Sequence, residues 1–213
     1  MPVNAPRAII FDIGRVLVRL DIGRVKSSLA AGLPLSPEEL WAAIEKDPHW
    51  QDWQEGRLSA YDWYLNLTKR FKLALDFEQF KSIWNLALDP EPIHPTSLFK
   101  RLSKKHRLGL LSNTDPIHVA HLEATYDFFA YFAPARRIYS CVIGASKPNP
   151  VIYQGALKAC KVKAEEALYI DDIEGNVEAA RRLGLRGIHF RSAGQLREEL
   201  EGVGVELERP ATT

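Results

Sequence analysis

Ala8-Ile9-Ile10-Phe11-Asp12-Ile13-Gly14 opens the reading: four apolar residues run without interruption and end on an acid and a glycine. A short continuous apolar run of this kind predicts a strand buried on both faces, as in a parallel sheet. Three further runs repeat the pattern. Leu108-Gly109-Leu110-Leu111 ends at Ser112-Asn113, Ala167-Leu168-Tyr169-Ile170 ends at Asp171-Asp172, and Gly187-Ile188-His189-Phe190 follows. Ile138-Tyr139, running into Ser140-Cys141-Val142, is a weaker fifth.

Helical segments alternate with these strands. Residues 95–105 precede the second run. Asp115-Pro116 and Asn149-Pro150 each place a capping side chain before a proline at the first helical position. Residues 174–183 stop at Gly184, a helix C-terminal glycine. The alternation predicts an α/β fold with a doubly wound, Rossmann-like parallel sheet.

Residues 22–91 contain no such strand run. Ser36-Pro37-Glu38-Glu39 is a capping box. Ser59 and Asp76 start two more helices, and all five tryptophans (Trp41, Trp50, Trp53, Trp63, Trp84) fall here. We expect a helical insert with its own aromatic core, the tryptophans filling it rather than lining a pocket. Asp89-Pro90-Glu91-Pro92 reads as the linker back. The expected division is a core of residues 1–18 and 92–213 and an insert of residues 19–91, with residues 206–213 a loose tail.

With 213 residues, 46% of them hydrophobic, the chain can bury a sizeable core. A formal net charge of +1 gives no reason to expect nucleic acid or a membrane as partner. The short basic clusters Lys104-Lys105-His106-Arg107 and Arg181-Arg182 read as solvated helix faces or ends. Cys141 and Cys160 lack disulfide-framework or zinc spacing and read as free thiols in a reducing compartment. The first residues lack a basic region followed by an apolar run, and no stretch approaches 18 apolar residues, so a cytoplasmic location is expected.

Open α/β sheets bind ligands beyond the carboxyl ends of their strands. There the sequence delivers Asp12, Ser112, Asn113, Asp171 and Asp172, with Ser146-Lys147-Pro148 in a loop before a helix. That set suits phosphoryl transfer. Asp12 can attack phosphorus to give an acyl phosphate that water then hydrolyses. Mg²⁺ would relieve repulsion between the carboxylates and the phosphate, and Lys147 would neutralise further charge. The Ser112 hydroxyl and the Asn113 backbone N–H would bind the phosphate. Each residue alone has a bland reading as cap, turn or surface lysine; their order and their placement after apolar runs distinguish them.

These residues resemble the haloacid dehalogenase (HAD) superfamily. Ile10-Phe11-Asp12-Ile13-Gly14, Leu110-Leu111-Ser112-Asn113-Thr114, Gly144-Ala145-Ser146-Lys147-Pro148 and Tyr169-Ile170-Asp171-Asp172-Ile173-Glu174-Gly175-Asn176 resemble its four motifs in order. The insert resembles the family's first type of helical cap, with Glu55-Gly56-Arg57-Leu58-Ser59 similar to a recurrent cap segment. The resemblance implies a Mg²⁺-dependent hydrolase of small phosphorylated metabolites. Asp12 would be nucleophile and metal ligand, and Asp172 a direct ligand with Asp171 and Asn176 alongside. Ser112 and Lys147 would hold the phosphoryl group.

One position departs from the pattern. The family's phosphatases usually carry a second Asp, the general acid, two residues after the nucleophile; here Gly14 stands there, with only a backbone carbonyl to offer a metal. A branch that resembles sugar 1-phosphate phosphatases has glycine at this place in Phe-Asp-x-Gly-Asn-Val, where this chain has Arg15 in the Asn position. That branch has an acidic residue nine positions after the nucleophile, which Asp21 matches. Either Asp21 or water supplies the proton, or the leaving group needs little acid help. Two other readings stay open: a phosphate-ligand binding or regulatory protein without turnover, and a 2-haloacid dehalogenase, against which the Asp171-Asp172 pair argues. Arg15 reads equally as a phosphate contact or as a structural, solvated residue. His118 and His121, spaced i, i+3, read as a packing or polar pair near the site rather than a metal site.

Overall fold

The computed structural model describes residues 5–207. In chain order its strands and α-helices are β1 (Ala8–Phe11), β2 (Val18–Leu20), α1 (Ile22–Ala30), α2 (Pro37–Glu45), α3 (Trp50–Gln54), α4 (Ala60–Phe71) and α5 (Phe77–Trp84). Then come β3 (Leu88–Pro92), α6 (Thr96–Leu102), β4 (Arg107–Ser112), α7 (Pro116–Thr125), β5 (Arg137–Tyr139), α8 (Ser140–Ile143) and α9 (Pro150–Cys160). The chain closes with β6 (Ala167–Asp171), α10 (Glu174–Arg182), β7 (Arg186–His189) and α11 (Ala193–Gly202).

Five strands form one parallel sheet in the order β5-β4-β1-β6-β7. Because strand side chains alternate, β1 feeds two cores. Ile9 and Phe11 join Leu108, Leu110, Leu168 and Ile170 beneath α6 and α11, while Ala8 and Ile10 join Leu111 and Tyr169 beneath α9 and α10. Helices thus cover both faces, which is why every residue of β1 and β6 is buried.

The insert has a third core. Val25, Leu29, Leu40, Ile44, Leu67 and Phe80 surround the stacked rings of Trp53 and Trp63, whose centroids are 5.8 Å apart. Ile117 of α7 also joins this cluster, so the insert is packed onto the sheet domain. Local chemistry sets its helices: capping boxes Ser36–Glu39 and Asp76–Gln79, and a Ser59 cap.

Two expectations need correction. Residues 89–92 do lead back to the sheet domain, but not as a hinge: β3 pairs antiparallel with β2, so both crossings between insert and sheet domain form one ribbon. Pro90 and Pro92 cannot donate, but a two-stranded ribbon has open outer edges where that costs little. Nor is the tail loose from residue 206, since Val205 and Leu207 are buried in the main core and Glu206 pairs with Lys105. The rest of the expected tail, and the first four residues, lie outside the described part. Cys141 is half-buried and Cys160 buried, both as free thiols. No helix among the described residues is long and apolar enough to cross a membrane.

Candidate active site

The chain leaves β1 for β4 on one side and returns to β6 on the other, so β1 sits at the point where strand order reverses. Crevices form at the carboxyl ends of such strands. Asp12 stands there, its backbone N–H continuing the ladder to Ile170 O at 2.8 Å. Ser112 ends β4 and Asp171 ends β6. Asp12, Gly14, Ser112, Asn113, Lys147, Asp172 and Asn176 line one pocket of about 160 Å³, together with Arg15, Leu20 and Ile173.

Lys147 organises the pocket floor. Its ammonium lies 2.8 Å from Asp12 Oδ1 and 2.8 Å from Asp171 Oδ2, with all three side chains nearly inaccessible. Its loop is held by Asn113, whose side-chain oxygen accepts from Lys147 N at 2.7 Å while its amide donates to Lys147 O at 3.1 Å. Asn113 was expected only as a phosphate ligand. Its side chain is committed to this clamp, which leaves its backbone N–H for an anion.

Asp171 is fully buried and well supplied with donors. It accepts from Lys147, from Ile173 N at 2.8 Å, from Asn176 Nδ2 at 3.1 Å and from the Tyr169 hydroxyl. Burial alone would raise its pKa, but these donors outweigh it and hold the carboxyl below its ordinary value. Asp12 differs. Burial, then the nearby Asp171 charge, outweighs Lys147 and lifts it to about 6. Lys147 is held above its ordinary value because the two carboxylates outweigh its own burial. Asp172 is raised by burial and by Asp171, with the Arg15 guanidinium opposing at 3.9 Å.

One oxygen from each of Asp12, Asp171 and Asp172 lies within 4.8 Å of the others. Three hard oxygen donors on one small pocket fit a Mg²⁺ ion better than a soft, thiolate-seeking metal. Asn176, expected beside the metal, lines the same pocket, where its side chain donates to Asp171 and its backbone carbonyl accepts from Tyr153.

Asp21 does not line the pocket. It caps α1, accepting from Arg24 N at 3.3 Å, and is exposed, whereas Leu20 and Ile22 on either side of it line cavities at the site. Gly14 is walled by Leu20: a Cβ built at position 14 would stand 3.0 Å from Leu20 Cδ1. An adjoining cavity of about 80 Å³ extends along Leu20, Ile22, Leu88 and Leu122. A larger groove, about 420 Å³, lies between α5 and α7 and contains none of these carboxylates.

His118 is a joint, not a ligand. Its Nδ1 is 2.9 Å from Asp115 Oδ2 and its Nε2 is 3.0 Å from Trp84 O, tying α7 to α5. His121 lines the larger groove. None of the five tryptophans lines the pocket at Asp12.

Sequence reading missed Tyr169 and Leu20. Tyr169 sits inside an apolar strand run, and Leu20 is one leucine among many, so neither carried a signal. It also missed how the insert meets the motif loop. The Glu55 carboxylate accepts from Ser146 N at 3.2 Å, and Ser140 Oγ lies 2.7 Å from Gln54 O.

The family model described as haloacid dehalogenase-like hydrolase matches residues 6–184. D-ribitol-5-phosphate phosphatase of Bacteroides thetaiotaomicron is 26% identical over 198 residues, covering 90% of this chain and 95% of that protein. A HAD family enzyme of the same organism, solved with magnesium and inorganic phosphate, superposes with a TM-score of 0.78 at 21% identity, covering 89% of this chain and 96% of that one. A HAD-like family hydrolase of Porphyromonas gingivalis superposes with a TM-score of 0.76 at 24% identity, covering 96% of this chain and 100% of that one.

Proposed function

The chain belongs to the haloacid dehalogenase-like hydrolases, and from that premise we propose that it is a Mg²⁺-dependent phosphatase of small phosphate monoesters. The observation that carries the proposal is the Lys147 ammonium set 2.8 Å from both Asp12 and Asp171, with Asp172 completing a three-carboxylate group at the same pocket. A 2-haloacid dehalogenase has no need of that third acid.

Asp12 and Asp172, with the Gly14 backbone carbonyl, would hold Mg²⁺, and Asp171 and Asn176 would steady its surroundings. When bound, the ion offsets the carboxylate charge and polarises the phosphoryl group. An Asp12 oxygen attacks phosphorus, a P–O bond forms, and the bond to the leaving oxygen breaks. Lys147 steers Asp12 and shields it from Asp171. The Ser112 hydroxyl and the Asn113 backbone N–H receive phosphoryl oxygens. Water then attacks phosphorus, releasing orthophosphate and restoring the Asp12 carboxylate.

Position 14 offers no proton, and the apolar Leu20 wall stands where an acid would reach. Asp21 caps α1, so water at the pocket mouth protonates the leaving oxygen. That favours esters with good leaving groups, such as an anomeric hydroxyl, since a missing general acid costs roughly 10²–10⁴-fold with poor ones. The pocket is small against the roughly 300–1,000 Å³ of many ligand sites, which suits a phosphoryl group and a short polyol or sugar. The resemblance to a ribitol phosphate phosphatase makes phosphorylated polyols and sugars the first substrates to try. The helical insert acts as the cap, and Gln54, Glu55 and Trp84 join it to the sheet domain beside the pocket, at Ser140, Ser146 and Asp115.

Hydrolysis of p-nitrophenyl phosphate with and without Mg²⁺, beside Asp12→Asn, tests the proposal. Its good leaving group removes the handicap of Gly14. Metal-dependent turnover abolished in the variant is expected. Phosphate and Mg²⁺ binding without turnover would favour a phosphate-binding regulatory protein instead.

A further inference from the structure

Arg15 holds an unusual backbone position. Among the described residues three non-glycines have positive φ, and two of them, Lys72 and Lys161, end α4 and α9, where the left-handed conformation is common. Arg15, at φ 58°, lies at no helix end. It sits in a tight turn in which Leu17 N and Val18 N both donate to Ile13 O while Arg15 N donates to Val18 O. Glycine or asparagine would meet that turn's demand at lower cost.

The side chain is not held by the fold either. It is 61% exposed, makes no hydrogen bond among the described residues, and has one loose ion pair, 3.9 Å to Asp172. Yet it lines the same pocket as Asp12, Ser112, Asn113 and Lys147. Of the two cationic side chains lining that pocket, Lys147 is committed to Asp12 and Asp171. Only Arg15 has donors to spare.

Charge points the same way. Three carboxylates face a single ammonium on the pocket floor. A divalent cation restores balance, and the incoming phosphoryl group then brings a fresh negative charge that no other side chain lining the pocket offsets. A guanidinium, planar and permanently charged, pairs with phosphoryl oxygens through two parallel N–H donors.

We propose that Arg15 is a substrate-binding residue: its guanidinium leaves Asp172 as the ester enters and pairs with oxygens of the phosphoryl group. This rests on the phosphatase reading. It accounts for an arginine at a backbone position better suited to glycine or asparagine.

The test is calorimetric binding of orthophosphate in the presence of Mg²⁺ to the wild-type chain, Arg15→Asn and Arg15→Lys. Asparagine tolerates the left-handed backbone, so Arg15→Asn should melt no lower than wild type. The expected result is at least tenfold weaker phosphate binding in Arg15→Asn and partial recovery in Arg15→Lys. Mg²⁺ alone should bind equally or more tightly, because a competing cation near Asp172 is gone. Wild-type phosphate affinity in Arg15→Asn, with wild-type turnover intact, would overturn this inference and leave the phosphatase reading standing. A lowered melting temperature would assign Arg15 to the fold and overturn it as well. Failure of the wild-type chain to bind phosphate would overturn both.

Discussion

Replacing Gly56 with alanine tests whether the insert and the motif loop are held in one arrangement. Gly56 has φ 68°, and a Cβ added there would stand 1.9 Å from the Cys141 carbonyl oxygen. Real contacts of this kind essentially never fall under 3.0 Å, so the α3–α4 turn and the start of α8 must part by roughly 1 Å. The left-handed backbone costs alanine about 1–2 kcal/mol, and overpacking against backbone adds about 1–3 kcal/mol. For a chain of this size each kcal/mol is worth roughly 2–4 °C of melting temperature, so a drop of about 5–15 °C is expected if the fold absorbs the strain. If the joint opens instead, the melting temperature moves less. The Glu55–Ser146 and Gln54–Ser140 contacts then loosen beside Lys147, and kcat/KM falls by up to roughly 10²-fold. Gly144→Ala is the control. Gly144 also has positive φ, at 76°, but an added Cβ there meets nothing within 4 Å, so only the backbone cost applies. Thermal melts and p-nitrophenyl phosphate assays of both variants read the outcome. Wild-type stability together with wild-type activity in Gly56→Ala would refute the close approach.

Two further predictions follow from buried charge. Lys147→Met leaves Asp12 and Asp171 facing each other unshielded. We expect a stability loss of about 3–5 kcal/mol, softened by protonation of Asp12, and a rate loss of roughly 10²–10³-fold; denaturant melts and steady-state kinetics would read both. The His118 joint gives a pH signature. Burial would lower the His118 pKa, but Asp115 and the Trp84 carbonyl outweigh it and raise it above its ordinary value; burial would raise Asp115, but His118 and the Trp84 indole N–H outweigh it and depress it. A raised histidine contributes fully below its unfolded pKa and loses that contribution as pH climbs through the folded value. A depressed aspartate contributes above its unfolded pKa and loses that as pH falls through the folded value. His121, lowered by burial and by His118, is the other titrating neighbour. Melting temperature should therefore decline on the alkaline side of the His118 transition, and His118→Gln should flatten that decline; an unchanged slope would remove the joint from the account.

The central strands β1, β4 and β6 were legible because burial on both faces writes an apolar run, and these three runs end on polar residues of the candidate site. The capped helices were legible for an equally local reason: Ser36, Ser59, Asp76, Asp115 and Asn149 each sit at the position their side chains then cap. The β2–β3 ribbon was not legible, since two of its five β3 residues are proline and its partner lies about 70 residues away. Site membership was read from strand ends, but the roles within it were not. That Asn113 clamps the Lys147 loop, and that Tyr169 braces Asp171 from inside the core, depends on side-chain directions set only by tertiary packing. Asp21 shows another limit: the family resemblance offered it for proton transfer, and the structure shows it capping α1 and outside the pocket lining.

The most direct test of the account is whether Asp12 itself carries the phosphoryl group. A single turnover in water labelled with heavy oxygen, with enzyme in excess over a phosphorylated substrate and Mg²⁺ present, should be followed by peptide mass analysis. When water attacks the phosphorus of the acyl phosphate, the labelled oxygen goes into orthophosphate. The substrate's bridging oxygen leaves with the alcohol, and Asp12 recovers its own oxygen unlabelled. Rapid quenching before that step should accordingly show one phosphoryl group on the peptide containing Asp12, absent from Asp12→Asn. Full turnover with no phosphorylated Asp12 peptide at any quench time would contradict the central claim, and would mean that water attacks the ester directly.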